Sequence, residues 1–384
     1  MSIYLTDRSR IVTREECERK RFNNYDYPID GKPTGLQRRQ MSLPLLNGEW
    51  IHEGHARVLA GQPIEKVVGD IRQAYSADVA AKGVFGEADT DWLIREQTHL
   101  VEGMLRGFAL VQMPRILDEY EVVSIEESWD WHLAEGLVQK MRMDALLRRR
   151  SDKLLHILDY KALAYASEDW RRKQERTRQT SLYTLAVQEH YGEAVGGIMY
   201  VASVKGSWKT DNAKLSPFYG QKIQHSPYLY AYQHPQTLDT QTAWTNRKGF
   251  VKFRTYEQMS MEAWVNWLQE NEPETLAGQF IFVPPILPTP KELQRVKTLV
   301  IREELTYIRR YEHWQNLQAR GLHEEAQDYL DYVLAPMREE ACYKYGGEHV
   351  CMFCEGICFN DGADPLADGD FEPRIPHHST ELEG

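Results

Sequence analysis

Two apolar-rich segments on either side of six polar residues constrain the fold of this chain more than any other feature. The apolar segments cover residues 138–147 and 154–161, and the polar residues between them, 148–153, include three consecutive arginines. Two such segments joined by a short polar turn predict a β-hairpin.

The predicted hairpin brings charged residues together. A turn centred between Ser151 and Asp152 places Asp144 directly opposite Asp159, and directly opposed residues share a face with Cβ atoms roughly 5 Å apart. Lys161 points to the same face because side chains alternate along a strand. Two carboxylates and an ammonium at one spot are costly unless they surround a divalent metal. The other interpretation is a solvated strand face whose ion pairs contribute only about 0–1 kcal/mol each.

Residues outside the hairpin could complete such a site. His52, on a predicted helix, is the best candidate for a further metal ligand, and Gly48 one turn earlier would let this helix approach the sheet closely. Gln179 and Tyr183 stand four residues apart and therefore share a helix face, from which they could contact a phosphate or the attacking water. The alternatives are a surface histidine and an amphipathic helix with Tyr183 in the core and Gln179 outside.

The composition is that of a soluble globular protein. The chain has 384 residues, of which 42% are apolar and 27% charged, so it can hold one large domain or two ordinary ones. No apolar run approaches the ~20 residues that span a bilayer, and no signal-peptide pattern is present at the start. We therefore expect a cytoplasmic protein with no membrane partner.

Charge is unevenly distributed along the chain. The net charge is −11, and residues 361–384 contain seven acids and one Arg in a tail that we predict to be disordered. Trp170, after the hairpin, is a candidate for stacking on a base. It precedes a dense basic segment whose candidates for phosphate contacts are Arg171, Arg172, Lys173, Arg176 and Arg178.

The cysteines indicate a metal site. Cys342, Cys351, Cys354 and Cys358 lie within seventeen residues, whereas Cys17 lies near the start. In a reducing cytosol such clustering points to metal and not to disulfides. Four thiolates could hold zinc on their own, or three of them could join Cys17 around an iron–sulfur cluster. The spacing leaves both interpretations open.

The remaining sequence predicts an α/β core with a helical envelope. Hydrophobic periodicity predicts helices over residues 14–23, 45–59, 63–82, 90–117, 168–191, 261–271 and 291–332. Segments rich in Val, Ile and Tyr predict further strands over residues 121–125 and 194–204.

Short motifs follow one another in a fixed order along the chain. They are a Cys before a basic, aromatic segment within 7–25, then Gly48-Glu-Trp-Ile-His52, Met141-Arg-Met-Asp144, Asp159-Tyr-Lys161, Gln179-x-x-x-Tyr183 and the closing cysteines from Cys342. This order resembles the RecB-type nucleases of the PD-(D/E)XK superfamily, which include the AddB nuclease domain, the CRISPR adaptation exonucleases and many phage exonucleases. Met141 departs from the pattern, because the family has glycine there.

The resemblance implies a fold and a set of site residues. The fold would be α/β and restriction-endonuclease-like, with a central mixed sheet flanked by helices, and one nuclease domain would cover residues 1–360. The implied metal ligands, for Mg²⁺ or Mn²⁺, are His52, Asp144, Asp159 and the backbone carbonyl of Tyr160. The implied catalytic residues are Asp144, Asp159, Lys161, Gln179 and Tyr183.

The same resemblance implies a [4Fe–4S] cluster that joins the two ends of the domain. Its ligands would be Cys17, Cys342, Cys351 and Cys358, with Cys354 as an alternative ligand. A structural Zn²⁺ bound by the C-terminal cysteines is the alternative cofactor.

The function that we expect is a metal-dependent DNA exonuclease. It would hydrolyse phosphodiester bonds at DNA ends or in single strands, in recombination or repair, and would be phage-encoded and active in the host cytoplasm. Its expected partners are DNA and a recombination protein or further copies of itself. The alternatives are a catalytically inactive DNA-end-binding or assembly factor of the same fold, and a zinc-stapled interaction protein.

Overall fold

The chain forms two compact units, each assembled from separated segments. The computed structural model describes residues 4–40, 42–83, 90–210, 222–225, 242–245, 251–254, 260–338, 353, 357, 364–367 and 369–375. One unit, called here the terminal unit, comprises Met1–Gln40, Ser128–Arg142 and Thr289–Gly384, and the other, the central unit, comprises Met41–Glu127 and Met143–Pro288.

The described elements alternate between helices and strands along the chain. The strands are Tyr4–Asp7 (β1), Pro28–Ile29 (β2), Lys32–Pro33 (β3), Leu36–Arg38 (β4), Tyr120–Ile125 (β5), Ser128–Ala134 (β6), Leu137–Arg142 (β7), Ala145–Arg149 (β8), Leu155–Leu163 (β9), Val195–Val204 (β10), Ser207–Thr210 (β11), Lys222–His225 (β12), Thr242–Thr245 (β13), Val251–Arg254 (β14), Phe280–Ile286 (β15) and Phe371–Pro373 (β16). The α-helices are Arg8–Glu16 (α1), Glu18–Arg21 (α2), Leu43–Leu59 (α3), Ile64–Lys82 (α4), Thr90–Gly107 (α5), Met113–Glu119 (α6), Glu168–Arg176 (α7), Arg178–Tyr191 (α8), Met261–Asn271 (α9), Pro273–Ala277 (α10), Pro290–Ala319 (α11) and His323–Tyr329 (α12). Single π-helical turns cover Phe22–Asp26, Phe108–Gln112 and Leu330–Leu334.

A mixed sheet with the strand order β15-β10-β9-β8-β5 forms the centre of the central unit. Strands β9 and β10 are parallel, and the other neighbours are antiparallel. Helix α3 packs on one face of β9, and α8 packs on β10. Because helices cover the sheet, β10 is almost entirely buried and so are the first six residues of β9, and this explains the nearly continuous apolar sequence of β10. The fold is therefore α/β, with sheets flanked by helices, as predicted.

The predicted hairpin register is confirmed. Strand β8 pairs antiparallel with β9 so that Ala145 lies opposite Leu158 and Arg148 opposite Leu155. One step further along this register, Asp144 lies opposite Asp159.

The prediction of a single strand over residues 138–147 was wrong. Strand β7 ends at Arg142 and pairs with β6 and β1 in a three-stranded sheet, whereas β8 belongs to the five-stranded sheet described above. The chain turns between these strands because the Met143 amide donates to the carbonyl of Glu127 (3.1 Å) and the Glu126 amide donates to the carbonyl of Asp144 (3.0 Å).

Of three long predicted helices, two are interrupted in the structure, whereas the one predicted over 90–117 stays helical from Thr90 to Glu119 through the π-helical turn Phe108–Gln112. Helices α7 and α8 are separated at Thr177, whose hydroxyl caps α8 by accepting from the Gln179 amide. Pro114 begins α6 instead of ending a helix, since proline is tolerated at the first helical turn. The helix predicted over 291–332 is divided: α11 ends at Ala319, and Gly321, whose φ of +75° lies in the left-handed region that favours glycine, follows in the turn before α12.

Strands β15 and β16 are among those that the sequence did not predict. Strand β15 includes Pro284 and Pro285, and prolines are acceptable there because β15 is an edge strand. In the tail that was predicted to be disordered, β16 pairs with β4, and Phe371 is buried against Phe353 with ring centroids 5.5 Å apart. One buried aromatic residue orders this part of an otherwise acidic segment, so disorder was wrong for residues 371–373.

No helix in the described ranges is long and apolar enough to cross a membrane.

The prediction of one nuclease domain over residues 1–360 stays a prediction.

A buried ion-pair network holds the terminal unit together. Glu304 of α11 has no exposed surface, and its carboxylate accepts from both terminal nitrogens of Arg21 at 2.8 and 2.9 Å and from the Thr6 hydroxyl at 2.9 Å. Arg14 lies 3.0 Å from the same carboxylate. Burial acts to raise the pKa of Glu304, but the charges and hydrogen bonds of the arginines outweigh it and hold the pKa below its ordinary value.

We expect Glu304→Gln to destabilise the protein by up to about 3–5 kcal/mol, because it removes the buried charge that Arg14 and Arg21 share and leaves them only Glu303 and Asp26, respectively. Urea unfolding followed by circular dichroism measures the loss. The matched control is Glu312→Gln, an exposed position on the same helix, which should change the free energy of unfolding by less than about 0.5 kcal/mol. Equal effects of the two substitutions would contradict a structural role for the network.

Candidate active site

Asp159 of β9 is the centre of a buried polar group in the central unit. Its side chain is 3% exposed, and its Oδ1 accepts a hydrogen bond of 2.6 Å from Nε2 of Gln179. The ammonium of Lys161, two residues further along β9, forms an ion pair with Oδ2. The two oxygens of this carboxylate therefore have different partners, an amide and a cation.

Helix α8 is positioned over this face of the sheet by further hydrogen bonds. The hydroxyl of Thr180 lies 2.7 Å from the hydroxyl of Tyr200, which is the neighbour of Asp159 in the register of β10 on β9. The Lys161 ammonium lies 5.6 Å from the centroid of the Tyr200 ring. Thr177 caps α8, which begins at Arg178. Gln179 therefore lies in the first turn of α8, and its side-chain amide reaches Asp159 from there.

Asp144 and His52 form a second polar group beside the first. Oδ2 of Asp144 accepts a hydrogen bond of 2.6 Å from the backbone amide of Tyr160 and lies 3.7 Å from Nδ1 of His52. The His52 ring, on α3, meets the Tyr160 ring edge to face with centroids 6.0 Å apart. Asp144 and His52 remain partly exposed, whereas Asp159 is buried.

The side chain of Tyr160 belongs to the core, on the face of β9 that α3 covers. It is fully buried against His55 and Phe108, and burial, followed by the charge of Asp144, raises the pKa of its hydroxyl well above the ordinary range. Consecutive residues of β9 thus serve different purposes. Asp159 and Lys161 carry the polar group, and Tyr160 anchors the strand while its amide holds Asp144.

The donor types present here suit a hard divalent cation. Imidazole nitrogen and carboxylate oxygen are ligands of Mg²⁺ and Mn²⁺, and Oδ2 of Asp159 is a buried oxygen with no hydrogen-bond donor among the described residues besides its ion pair with Lys161. Within the described ranges, however, no three or more His, Cys, Asp or Glu side chains are already grouped to hold a metal ion. To ligate one, Asp159 would exchange the Lys161 ammonium for the cation.

The chain matches a known protein family over most of its length. The family model of the PD-(D/E)XK nuclease superfamily matches residues 8–356, which is most of the chain. The chain belongs to the PD-(D/E)XK nuclease superfamily. Members of this superfamily are nucleases that cleave phosphodiester bonds, and they usually use Mg²⁺ or Mn²⁺. A search of curated proteins gives no match.

The basic segment of this superfamily member lies on α7, directly after β9. Arg171, Arg172, Lys173 and Arg176 are exposed, and Arg178, in the first turn of α8, is half-buried. Arg172 lies 3.6 Å from Glu168 at a site where both side chains are more than half exposed, so this ion pair does little to neutralise the surface. The positive side chains of α7 are therefore accessible to a polyanion.

The surroundings of Gln179 and Gly48 in the structure differ from those that the sequence indicated. Gln179 is buried and not a surface residue, and Tyr183, one turn further along α8, is also buried. Gly48 does not allow a close approach of α3, because a Cβ added there would meet no atom within 4 Å. Gly54 does, since a Cβ at this position would lie 2.3 Å from Cδ2 of Leu105 on α5.

The cysteines are only partly within the described residues. Cys17 is buried at the junction between α1 and α2, where its amide donates to the carbonyl of Thr13 and its carbonyl accepts from the Arg21 amide. The other predicted ligands lie outside the described residues: Cys342, Cys351, Cys354 and Cys358.

Sequence reasoning missed Lys205, which lies directly after β10. Its backbone amide donates to the carbonyl of Leu163 (2.8 Å) and its ammonium donates to the carbonyl of Pro44 (2.7 Å). The side chain is buried, and burial lowers its pKa to about 8. A lysine that ends a long apolar strand was the signal in the sequence.

The depressed pKa of Lys205 predicts a rise in stability with pH. Between about pH 8 and pH 10.5 the unfolded chain holds more protons than the folded one, so stability relative to Lys205→Met should rise by up to roughly 3 kcal/mol across this window. Urea unfolding of both proteins at several pH values measures the difference. A difference in stability between wild type and Lys205→Met that stays constant across this pH window would contradict the prediction.

Proposed function

We propose that this protein is a metal-dependent DNA exonuclease of the RecB type that hydrolyses DNA at ends or in single strands. The observation that carries the proposal is the arrangement on β9, where Asp159 lies in register with Asp144 and shares its carboxylate between Gln179 and Lys161. A purely solvated strand face would not bury this carboxylate or satisfy it from a neighbouring helix.

The proposed ligands of Mg²⁺ or Mn²⁺ are His52, Asp144, Asp159 and the carbonyl of Tyr160. When bound, the ion supplies an acidified water and offsets the growing charge of the scissile phosphate. Gln179 fixes the Asp159 carboxylate by holding Oδ1, so that Oδ2 keeps one orientation. The amide of Tyr160 holds Asp144 in the same way.

Lys161 has the role of a preorganised cation in this proposal. Its ammonium is already placed at Oδ2 of Asp159 and above the Tyr200 ring, and both contacts hold it close to the proposed ion. From there it would orient the attacking water or stabilise negative charge on the phosphate in the transition state. Gln179 and Tyr183 complete the proposed catalytic set from α8.

DNA is the proposed substrate, and recombination or repair the proposed context. Exposed basic side chains on α7 begin only ten residues after Lys161 in the sequence, which supports phosphate contacts beside the site. A phage origin, action in the host cytoplasm, and a recombination protein or a second copy of the chain as partner belong to the same proposal.

An alternative is a DNA-end-binding factor that keeps the fold without turnover. The ion pair between Lys161 and Oδ2 of Asp159 favours it, because Lys161 occupies the oxygen that a metal would use. Cleavage distinguishes the two functions.

We expect the purified protein to shorten end-labelled DNA in the presence of Mn²⁺. Asp159→Asn and Lys161→Met should each reduce the rate by at least about 10²–10³-fold, because the first removes the charge of a proposed metal ligand and the second removes the cation proposed to act on the water or the phosphate. Asp169→Asn, at an exposed acid on α7, is the matched control and should retain full activity. Wild-type protein that binds DNA but leaves it intact would instead support the end-binding factor.

We also propose that Cys17, Cys342, Cys351 and Cys358 bind a [4Fe–4S] cluster, with Cys354 as an alternative ligand. The position of Cys17 supports this, because hydrogen bonds to Thr13 and Arg21 fix its backbone between two helices. A zinc site formed by the C-terminal cysteines alone would not need Cys17.

Anaerobically purified protein is expected to be brown and to contain iron. Cys17→Ser should remove the colour and the iron, whereas Cys354→Ser should retain them if Cys354 is the spare cysteine. Colourless protein with one tightly bound zinc, unaffected by Cys17→Ser, would show that the zinc-stapled alternative is correct.

A further inference from the structure

A β-bulge in β5 decides which residue lies opposite Asp144. The pairing of β5 with β8 keeps one register up to Val122 and a register shifted by one residue from Ser124 onward. Continuing the first register would place Ile125 opposite Asp144, whereas the shifted register places Glu126 there. Bulges are frequent next to active sites, where they re-aim a side chain. Here the bulge brings a carboxylate, instead of an apolar side chain, beside the candidate active site.

The backbone of Glu126 is fixed next to Asp144. Its amide donates to the carbonyl of Asp144 at 3.0 Å, as expected for directly opposed residues of antiparallel strands. The φ of Glu126 is +53°, which lies in the left-handed region that favours glycine. Residues held in this region are concentrated at active sites and ligand-binding segments. A glycine would adopt this backbone with less strain, so the side chain accounts for the glutamate at this position.

The adjacent Glu127 has a structural role in the same connection. Its carboxylate accepts a hydrogen bond from the Tyr191 hydroxyl and lies 3.7 Å from Nε2 of His190, at the end of α8. Burial acts to raise the pKa of Glu127, but hydrogen bonds from Ser124 and Tyr191 and the charge of His190 outweigh it and lower the pKa. Glu127 therefore attaches the connection to α8, and this attachment holds the neighbouring Glu126 in place.

The hydroxyl of Tyr160 lies close to the carboxylate of Glu126. After burial, the charges of Asp144 and Glu126 raise the pKa of this hydroxyl, so both carboxylates are near it. The Tyr160 hydroxyl is fully buried and has no hydrogen-bond partner among the described residues. Buried hydroxyl groups normally have a partner, and a water bound to an ion between Asp144 and Glu126 would provide one.

Three carboxylates lie in one row across β5, β8 and β9. Glu126 lies opposite Asp144 and Asp144 opposite Asp159, and opposed Cβ atoms are roughly 5 Å apart. Like charges at this spacing repel each other, and a divalent cation between them offsets the repulsion. Glu126 lies on the side of Asp144 away from the ion pair of Asp159 with Lys161. With His52, 3.7 Å from Asp144, it adds to the ligands on the partly exposed side of the site.

We propose that Glu126 is a further ligand of the divalent ion at the candidate active site, where it binds the same ion as Asp144 and His52. The inference rests on the proposed nuclease function and adds a residue that lies outside all the sequence motifs. Because no three such side chains are already grouped within the described ranges, ion binding draws Glu126 toward Asp144. A glutamate can make this movement because its side chain is one methylene longer than that of an aspartate.

The test is Mn²⁺ binding by the full-length protein without DNA, measured by isothermal titration calorimetry. The wild-type protein should bind one ion. Glu126→Gln should weaken binding at least about tenfold, because it removes a charged ligand and keeps the size of the side chain. The matched control is Glu121→Gln, at an exposed acid of the same strand that pairs with Arg150. It removes the same charge and should change the affinity less than about twofold, since solvent and salt screen a distant charge.

Two further measurements separate a metal ligand from a structural residue. In EDTA, Glu126→Gln should unfold at the same urea concentration as the wild-type protein or at a higher one, because it removes the repulsion between Glu126 and Asp144. In the cleavage assay, Glu126→Gln should need more Mn²⁺ for half of its maximal rate, because mass action compensates for weaker binding. A structural role would lower the urea midpoint and leave the Mn²⁺ dependence unchanged.

The results distinguish this inference from the proposed function. An unchanged Mn²⁺ affinity of Glu126→Gln, or a lowered urea midpoint in EDTA, overturns the role of Glu126 even if the wild-type protein cleaves DNA. Two ions bound by the wild-type protein and one by Glu126→Gln would show that Glu126 and Asp144 do not share a single ion, which also overturns the inference. Absence of both Mn²⁺ binding and cleavage in the wild-type protein overturns the nuclease proposal and this inference together.

Discussion

A buried carboxylate on a central strand determines much of the central unit. Removing a charged group from water costs several kcal/mol unless the protein supplies compensating partners. For Asp159 these partners are the Lys161 ammonium on the same strand and the Gln179 amide on α8. Gln179 reaches Asp159 only because Thr177 interrupts the preceding helix and starts α8 at the right point. The break between α7 and α8 is thus a consequence of satisfying one carboxylate, and it also leaves α7 at the surface with its basic side chains exposed.

Local sequence patterns predicted the register of the hairpin and the residues that meet on it. The distance of each acid from the turn was enough to place Asp144 opposite Asp159, because an antiparallel register is fixed once its turn is known. The break between β7 and β8 could not be predicted in this way. It depends on hydrogen bonds from the backbone of Glu126 and Glu127, which belong to a preceding connection and leave no pattern in the hairpin itself.

Contacts between distant segments account for the other differences. The expectation that Gly48 lets α3 approach the sheet was wrong, and only the three-dimensional position of Leu105 shows that Gly54 is a glycine of α3 that allows close packing, against α5. The hydrogen bonds of Lys205 could not be predicted from local sequence either, because its partners Leu163 and Pro44 lie 42 and 161 residues away in the chain. Phe371 shows a further limit: composition predicted disorder for the acidic tail, yet one aromatic side chain buried against Phe353 orders a strand within it.

The network around Glu304 has a consequence for the order of events during synthesis. Thr6, Arg14 and Arg21 depend on a carboxylate that lies 283 to 298 residues later in the chain. At about 5–20 residues per second, a ribosome needs roughly 15 to 60 s to produce it after the first helix has emerged. The whole central unit, which ends at Pro288, is synthesised in that interval. The arginines of the amino-terminal segment must therefore remain hydrated until translation has passed Glu304, the acid with which they pair in the folded unit.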